Sequence, residues 1–131
     1  MATPPIISTQ ELRELLANQA RNNSFLIVDV RSESEVRVSV IPSAIPQAEF
    51  ERTVADHRGK EIIAYCTVGA RSGKFTKKLS RQGWRVRNYE GSIIDWCKHK
   101  LPLMTLDGAE TQRVHTYSAR YSVPDEYEAI F

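Results

Sequence analysis

Apolar residues along this chain alternate between short compact runs and stretches with a helical period. Ser8-Thr9-Gln10-Glu11 places a hydroxyl three residues before a glutamate, the capping-box pattern. Leu12, Leu15 and Leu16 then recur at helical spacing, which predicts a helix from about Thr9 to Ala20. Phe25-Leu26-Ile27-Val28 reads as a buried strand ending at Asp29. Ser32 to Glu35 repeats the capping-box pattern and predicts one short helical turn. Ser39 to Pro46 carries two prolines, so it is extended and edge-like. Glu49 to His57 predicts a short helix. Glu61-Ile62-Ile63-Ala64-Tyr65 is a second buried strand, with a charge at its edge.

The stretch from Ser72 to Gly83 predicts a helix. Lys74, Lys77, Lys78 and Arg81 line one face, Phe75 and Leu79 mark the core-facing side, and Gly83 stops it. Arg85 to Tyr89 predicts a short strand around Val86. Ile93, Ile94 and Trp96 begin a last helix limited by Pro102. Strands alternating with helices argue for an α/β fold with a parallel sheet covered on both faces. Beyond Met104 the pattern dissolves. The segment 104–131 is nevertheless too aromatic for a typical disordered end, with Tyr117, Tyr121 and Tyr127. It is expected either to pack back on a domain spanning 1–103 or to meet a partner.

Composition narrows this picture. A chain of 131 residues with 41% hydrophobic and 26% charged residues is one domain able to bury its own core. A net charge of +2 implies neither a nucleic-acid nor a membrane partner. Charge is uneven, with nine Lys or Arg against two acids from Arg71 to Lys100, and two Arg against five acids from Met104 onward. That asymmetry reads either as an anion-attracting face or as a solvated helix face. Two cysteines, Cys66 and Cys97, are too few for a disulfide framework and lack metal spacing. The start, Met1-Ala2-Thr3-Pro4-Pro5, lacks the features of a secretory signal. The expected location is therefore a reducing one, the cytoplasm.

The candidate chemistry sits in Cys66-Thr67-Val68-Gly69-Ala70-Arg71-Ser72. A cysteine where a strand ends and a helix begins faces backbone N–H groups and the positive end of a helix dipole. Arg71 adds a full charge. Both favour a thiolate, the reactive form of cysteine. Gly69 allows a turn that other residues resist, and Ser72 is placed to cap the helix. A cysteine at a strand end is otherwise a small buried hydrophobe.

These residues, taken with others, resemble the rhodanese-like domains. Asp29-Val30-Arg31 followed by Glu35 looks like the first motif, and Ile41-Pro42-Ser43-Ala44-Ile45 like the second. Tyr65-Cys66 through Arg71-Ser72 looks like the active loop. Gly83-Trp84, Tyr89-Glu90-Gly91, Trp96 and Leu101-Pro102-Leu103 look like the closing segment. The resemblance covers roughly residues 8 to 103.

It implies a parallel five-stranded sheet with helices on both faces, followed by a C-terminal tail. It also implies sulfur transfer without metal or organic cofactor. Cys66 would attack the outer sulfur of a small anionic donor, thiosulfate or a persulfide, and pass that sulfur to a thiol or protein acceptor. Thr67, Val68, Gly69, Ala70, Arg71 and Ser72 would bind substrate, and Asp29 and Arg31 would support the loop. The alternative for Asp29 and Arg31 is a local ion pair with Glu35. Phosphatases of the same fold have a longer loop, so the six residues from Cys66 to Arg71 favour sulfur over phosphate.

Thr67 stands where thiosulfate-using members often carry a basic residue, and Val40 where many have histidine. Ser43 and Ser92 replace glycines, which costs about 1 kcal/mol wherever the backbone needs positive φ. Cys97, Trp84 and Trp96 read as packing residues, and His99 and His115 as surface residues. The alternative to an enzyme is an interaction module docking through its tail. Oligomeric state is left open.

Overall fold

The computed structural model describes residues 4–19 and 23–131. Its centre is a parallel sheet of four strands: β1 (Phe25–Asp29), β2 (Ile45–Pro46), β3 (Glu61–Tyr65) and β4 (Val86–Asn88), in the order β2-β1-β3-β4. Among the described residues the expected five strands are therefore four. The fifth position is one residue long, where Ile6 forms a parallel bridge to Asn88 beside β4. Pro4 and Pro5 precede that position; the Pro5 carbonyl accepts the Asn88 N–H at 2.9 Å, but neither proline has an N–H with which to carry the ladder further.

The strand period explains both faces of the sheet. Phe25, Ile27, Ile63 and Tyr65 point to one side, where they pack with Leu12, Tyr89, Ile93 and Trp96. Val28, Ile62 and Ala64 point to the other side, with Phe50, Phe75, Leu79 and Trp84. Cys66 continues that second alternation, one step past β3. Both tryptophans are buried, as expected of packing residues.

The helices are α1 (Thr9–Ala17), α2 (Glu33–Val36), α3 (Gln47–Arg52), α4 (Ala70–Arg81) and α5 (Ser92–Lys98). The capping box at Ser8 and Glu11 is present. α1 ends at Ala17 with Asn18 as its cap, and Ala20 lies outside the described residues, as do Met1, Ala2 and Thr3. The helix expected over 49–57 divides into α3 and a 3-10 turn, Val54–His57. α4 starts two residues earlier than expected, with Gly69 as its N-cap. Among the described residues no helix is long and apolar enough to cross a membrane.

Serines 43 and 92 adopt φ values of 76° and 57°. The cost attached to serine at a positive φ therefore applies at both positions.

The C-terminal segment folds onto the domain. β5 (Leu103–Met104) pairs antiparallel with β6 (Glu110–Thr111), while β7 (Arg113–His115) pairs parallel with β8 (Glu128–Ile130). Val114 is fully buried in the core, and Tyr121, Val123 and Tyr127 pack against it. The Tyr127 hydroxyl donates to the Leu101 carbonyl at 2.6 Å, and Lys100 pairs with Glu126 at 2.9 Å.

Candidate active site

Cys66 sits at the C-terminal end of β3, where the parallel sheet opens toward α4. The chain turns there because Gly69 adopts φ 97°. A Cβ on Gly69 would meet the Glu90 carbonyl oxygen at 2.5 Å, so both backbone conformation and space require glycine. The turn aims the Gly69 N–H at Cys66 Sγ, 3.1 Å away. The Ser72 hydroxyl lies 3.5 Å from the same sulfur.

Burial is the largest influence on this thiol and pushes its pKa up. It is outweighed by the Ser72 hydroxyl and by the N–H groups of Ser72, Gly69 and Arg71, so Cys66 titrates below an ordinary thiol. Ser72 is the third residue of α4, so it does not cap that helix as expected; its one hydroxyl proton has two acceptors in reach, the Gly69 carbonyl at 3.3 Å and the Cys66 sulfur at 3.5 Å, and turns to the sulfur when that is a thiolate.

Arg71 also departs from expectation. Its guanidinium does not stand free beside the sulfur. Nη1 and Nη2 donate to the Glu35 carboxylate at 2.7 and 3.0 Å, and Nη2 donates to Thr67 Oγ1 at 2.9 Å. Glu35 also accepts from the Ser32 N–H at 3.1 Å. Burial tends to raise the Glu35 pKa, but the Arg71 and Ser32 hydrogen bonds bring it down to about 2. A bidentate guanidinium–carboxylate pair of this kind fixes geometry strongly. Arg71 therefore stiffens the rim of the loop and brings no uncompensated charge.

Glu35 is thus the partner of Arg71, not of Asp29 and Arg31. Those two pair with each other in full burial, at 2.7 Å. The Tyr65 hydroxyl donates to Asp29 and accepts the Ile41 N–H at 3.0 Å. Arg31 also reaches the Ser39 carbonyl at 2.6 Å and the His115 carbonyl at 3.4 Å. The pair braces the residue before Cys66 and ties the C-terminal segment to the sheet.

Three contributors were not singled out for the site from sequence. The Ser92 hydroxyl accepts the Cys66 backbone N–H at 3.0 Å and donates to the Tyr89 carbonyl at 2.9 Å. Its departure from glycine was the only available signal. Tyr117 and Tyr121 join Cys66, Thr67, Val68, Ala70 and Arg71 around a pocket of about 160 Å³. The Arg71 guanidinium lies 5.0 Å from the Tyr117 ring centre. His115, expected at the surface, is half-buried in β7, and its Nδ1 accepts the Tyr117 N–H at 3.1 Å. Gly69 belongs to the turn rather than to the pocket wall. Among the described residues no group of three or more His, Cys, Asp or Glu could hold a metal ion.

Known proteins resemble this chain in sequence and in fold. A protein called sulfurtransferase from Allochromatium vinosum is 31% identical over 106 residues, which span 78% of this chain and 96% of that protein. A thiosulfate sulfurtransferase structure from Pseudomonas aeruginosa superposes with a TM-score of 0.68 at 25% identity, covering 81% of this chain and 21% of that one. The human single-domain sulfurtransferase TSTD1 gives 0.57 at 28% identity, covering 70% and 94%. A family model described as Rhodanese-like domain matches residues 8–99, from the α1 cap to the residue after α5, with the Cys66 loop in its second half. With its parallel sheet, its strand-end cysteine and its order of motifs, the chain belongs to the rhodanese-like domain family.

Proposed function

We propose that this protein is a sulfurtransferase that carries sulfane sulfur on Cys66. One observation carries the reading: the Cys66 sulfur accepts from the Gly69 N–H at 3.1 Å, lies beside the Ser72 hydroxyl, and opens onto the pocket. A sulfur anion at that point is stabilised by fixed dipoles that need no reorganisation during reaction. The names of the relatives agree with this chemistry.

In the first half-reaction the Cys66 thiolate attacks the outer sulfur of thiosulfate or a persulfide. A bond forms between Sγ and that sulfur. The donor's S–S bond breaks, and the leaving group departs with its electron pair. In the second half-reaction an acceptor thiolate attacks the carried sulfur, and Cys66 leaves as thiolate. The expected kinetics are ping-pong. Ala70 and Val68 shape the walls of the cup. Thr67 and Arg71, joined through Glu35, hold its rim in place. A reducing compartment such as the cytoplasm keeps the thiol competent.

Intact mass after incubation with a sulfur donor tests this reading. A gain of one sulfur atom, located on Cys66 by peptide mapping, is expected. Cys66→Ala and Cys66→Ser should take up none and lose transfer by about a thousandfold or more. Turnover by Cys66→Ala would overturn the mechanism.

A further inference from the structure

The matched domain ends at residue 99, yet two walls of the pocket come from beyond it, Tyr117 and Tyr121. Tyr117 is 60% exposed and holds φ 70°. A large side chain keeps a left-handed backbone only where its surroundings over-determine it. Here they do. The Thr116 N–H donates to the Ile130 carbonyl at 2.8 Å, the Tyr117 N–H goes to His115, and the ring lies against Arg71.

The chemistry of the remaining wall is consistent. Val68 and Ala70 are apolar, and the one cation, Arg71, is neutralised by Glu35. A small dianion entering this mouth would lose hydration and meet no free positive charge. An apolar body would meet two aromatic rings. The pocket measures about 160 Å³, and a cavity of about 150 Å³ is large enough for a benzene ring.

We propose that Tyr117 and Tyr121 select the sulfur donor, favouring one whose sulfur is attached to an apolar, ring-sized body over thiosulfate. This rests on Cys66 being the sulfur carrier. With an arenethiosulfonate, the Cys66 thiolate bonds to the outer sulfur. The bond from that sulfur to the sulfonyl sulfur breaks, and the arenesulfinate leaves with the electron pair. Cys66 keeps the sulfur as a persulfide anion, so charge and atoms balance.

The test compares benzenethiosulfonate with thiosulfate, using cyanide as acceptor and thiocyanate release as readout. Wild type should show the higher kcat/KM with benzenethiosulfonate. The variant Y117A/Y121A should lose about tenfold of that preference, mostly through KM for the aryl donor. Y117F and Y121F keep the rings and should keep the preference. Tyr121 packs partly on the core, so Y117A alone serves if the double variant does not fold, with an expected loss of about threefold. Wild type preferring thiosulfate, or an unchanged ratio in folded Y117A/Y121A or Y117A, would overturn donor selection. Donor selection also falls if neither donor loads sulfur onto Cys66 by mass, but that result condemns the sulfur-carrier reading first. Loading by both donors with equal efficiency condemns the selection alone.

Discussion

Cys66 and Cys97 are both free and both buried, yet they sit on opposite sides of an ordinary thiol. Cys97 lies in α5, within the core packed by Tyr89, Trp96 and Tyr127, and burial pushes it up to about 12. Cys66 feels burial too, but N–H groups and a hydroxyl converge on it and bring it down. Burial alone makes a cysteine inert. What separates the two is the strand-to-helix turn, which presents consecutive main-chain donors to one atom.

The broadest way to break this contrast is alkylation by iodoacetamide at neutral pH, followed residue by residue. Cys66 should react about a thousandfold faster than Cys97, since a thiol held near 12 supplies that much less thiolate than an ordinary one. Comparable rates would sink the distinction. Gly69→Ala attacks the turn itself. Its new methyl would meet the Glu90 carbonyl oxygen, and its φ of 97° suits glycine alone. Urea denaturation should report a loss of about 1–3 kcal/mol. The pH midpoint of Cys66 alkylation should rise toward that of a free thiol.

Glu35→Gln tests the rim. In the folded protein Glu35 titrates at about 2, below its unfolded value of about 4.5. Its contribution is therefore complete above about pH 4.5 and disappears as pH falls toward 2. The stability gap between wild type and Glu35→Gln should be about 1.5–3 kcal/mol at pH 7 and close over that acid interval. A gap independent of pH would mean that the Arg71 pair contributes nothing through charge. The finest test is Ser72→Ala, which removes one hydroxyl and leaves the amides. The Cys66 midpoint should rise by about half to one pH unit. No shift would assign the whole effect to the main chain.

Much of this was legible in the sequence because it is local. The compact apolar run Ile62 to Tyr65 marked the buried strand at whose end Cys66 sits. The capping boxes at Ser8 and Ser32 marked two helix starts. The serines standing for glycines marked two positions where a positive φ would be costly, and the backbone adopts one at each. What stayed hidden was long-range pairing. Nothing in periodicity says that Glu35 reaches Arg71 across 36 positions, or that Arg31 holds a carbonyl 84 residues away. The role of Ser72 was misread because helix capping and thiolate binding both draw on the same hydroxyl, and the early start of α4 decides between them. The two pocket tyrosines were visible only as an aromatic excess, since β7 and β8 have no alternating pattern long enough to read.

The parallel pairing of residues 113–115 with 128–130 sets a minimum on the length of what joins them. Two strands running in the same direction cannot be closed by a tight reversal and need about a dozen residues to return. Residues 116–127 are twelve, and both rings ride on that span. Excising a few of them would unzip the ladder and strip the rings from the mouth together. Splicing extra residues between Ala119 and Arg120 would part the Arg120 and Tyr121 N–H groups from Ser118, to which they donate at 3.0 and 3.2 Å, and so displace one ring while leaving the other in place.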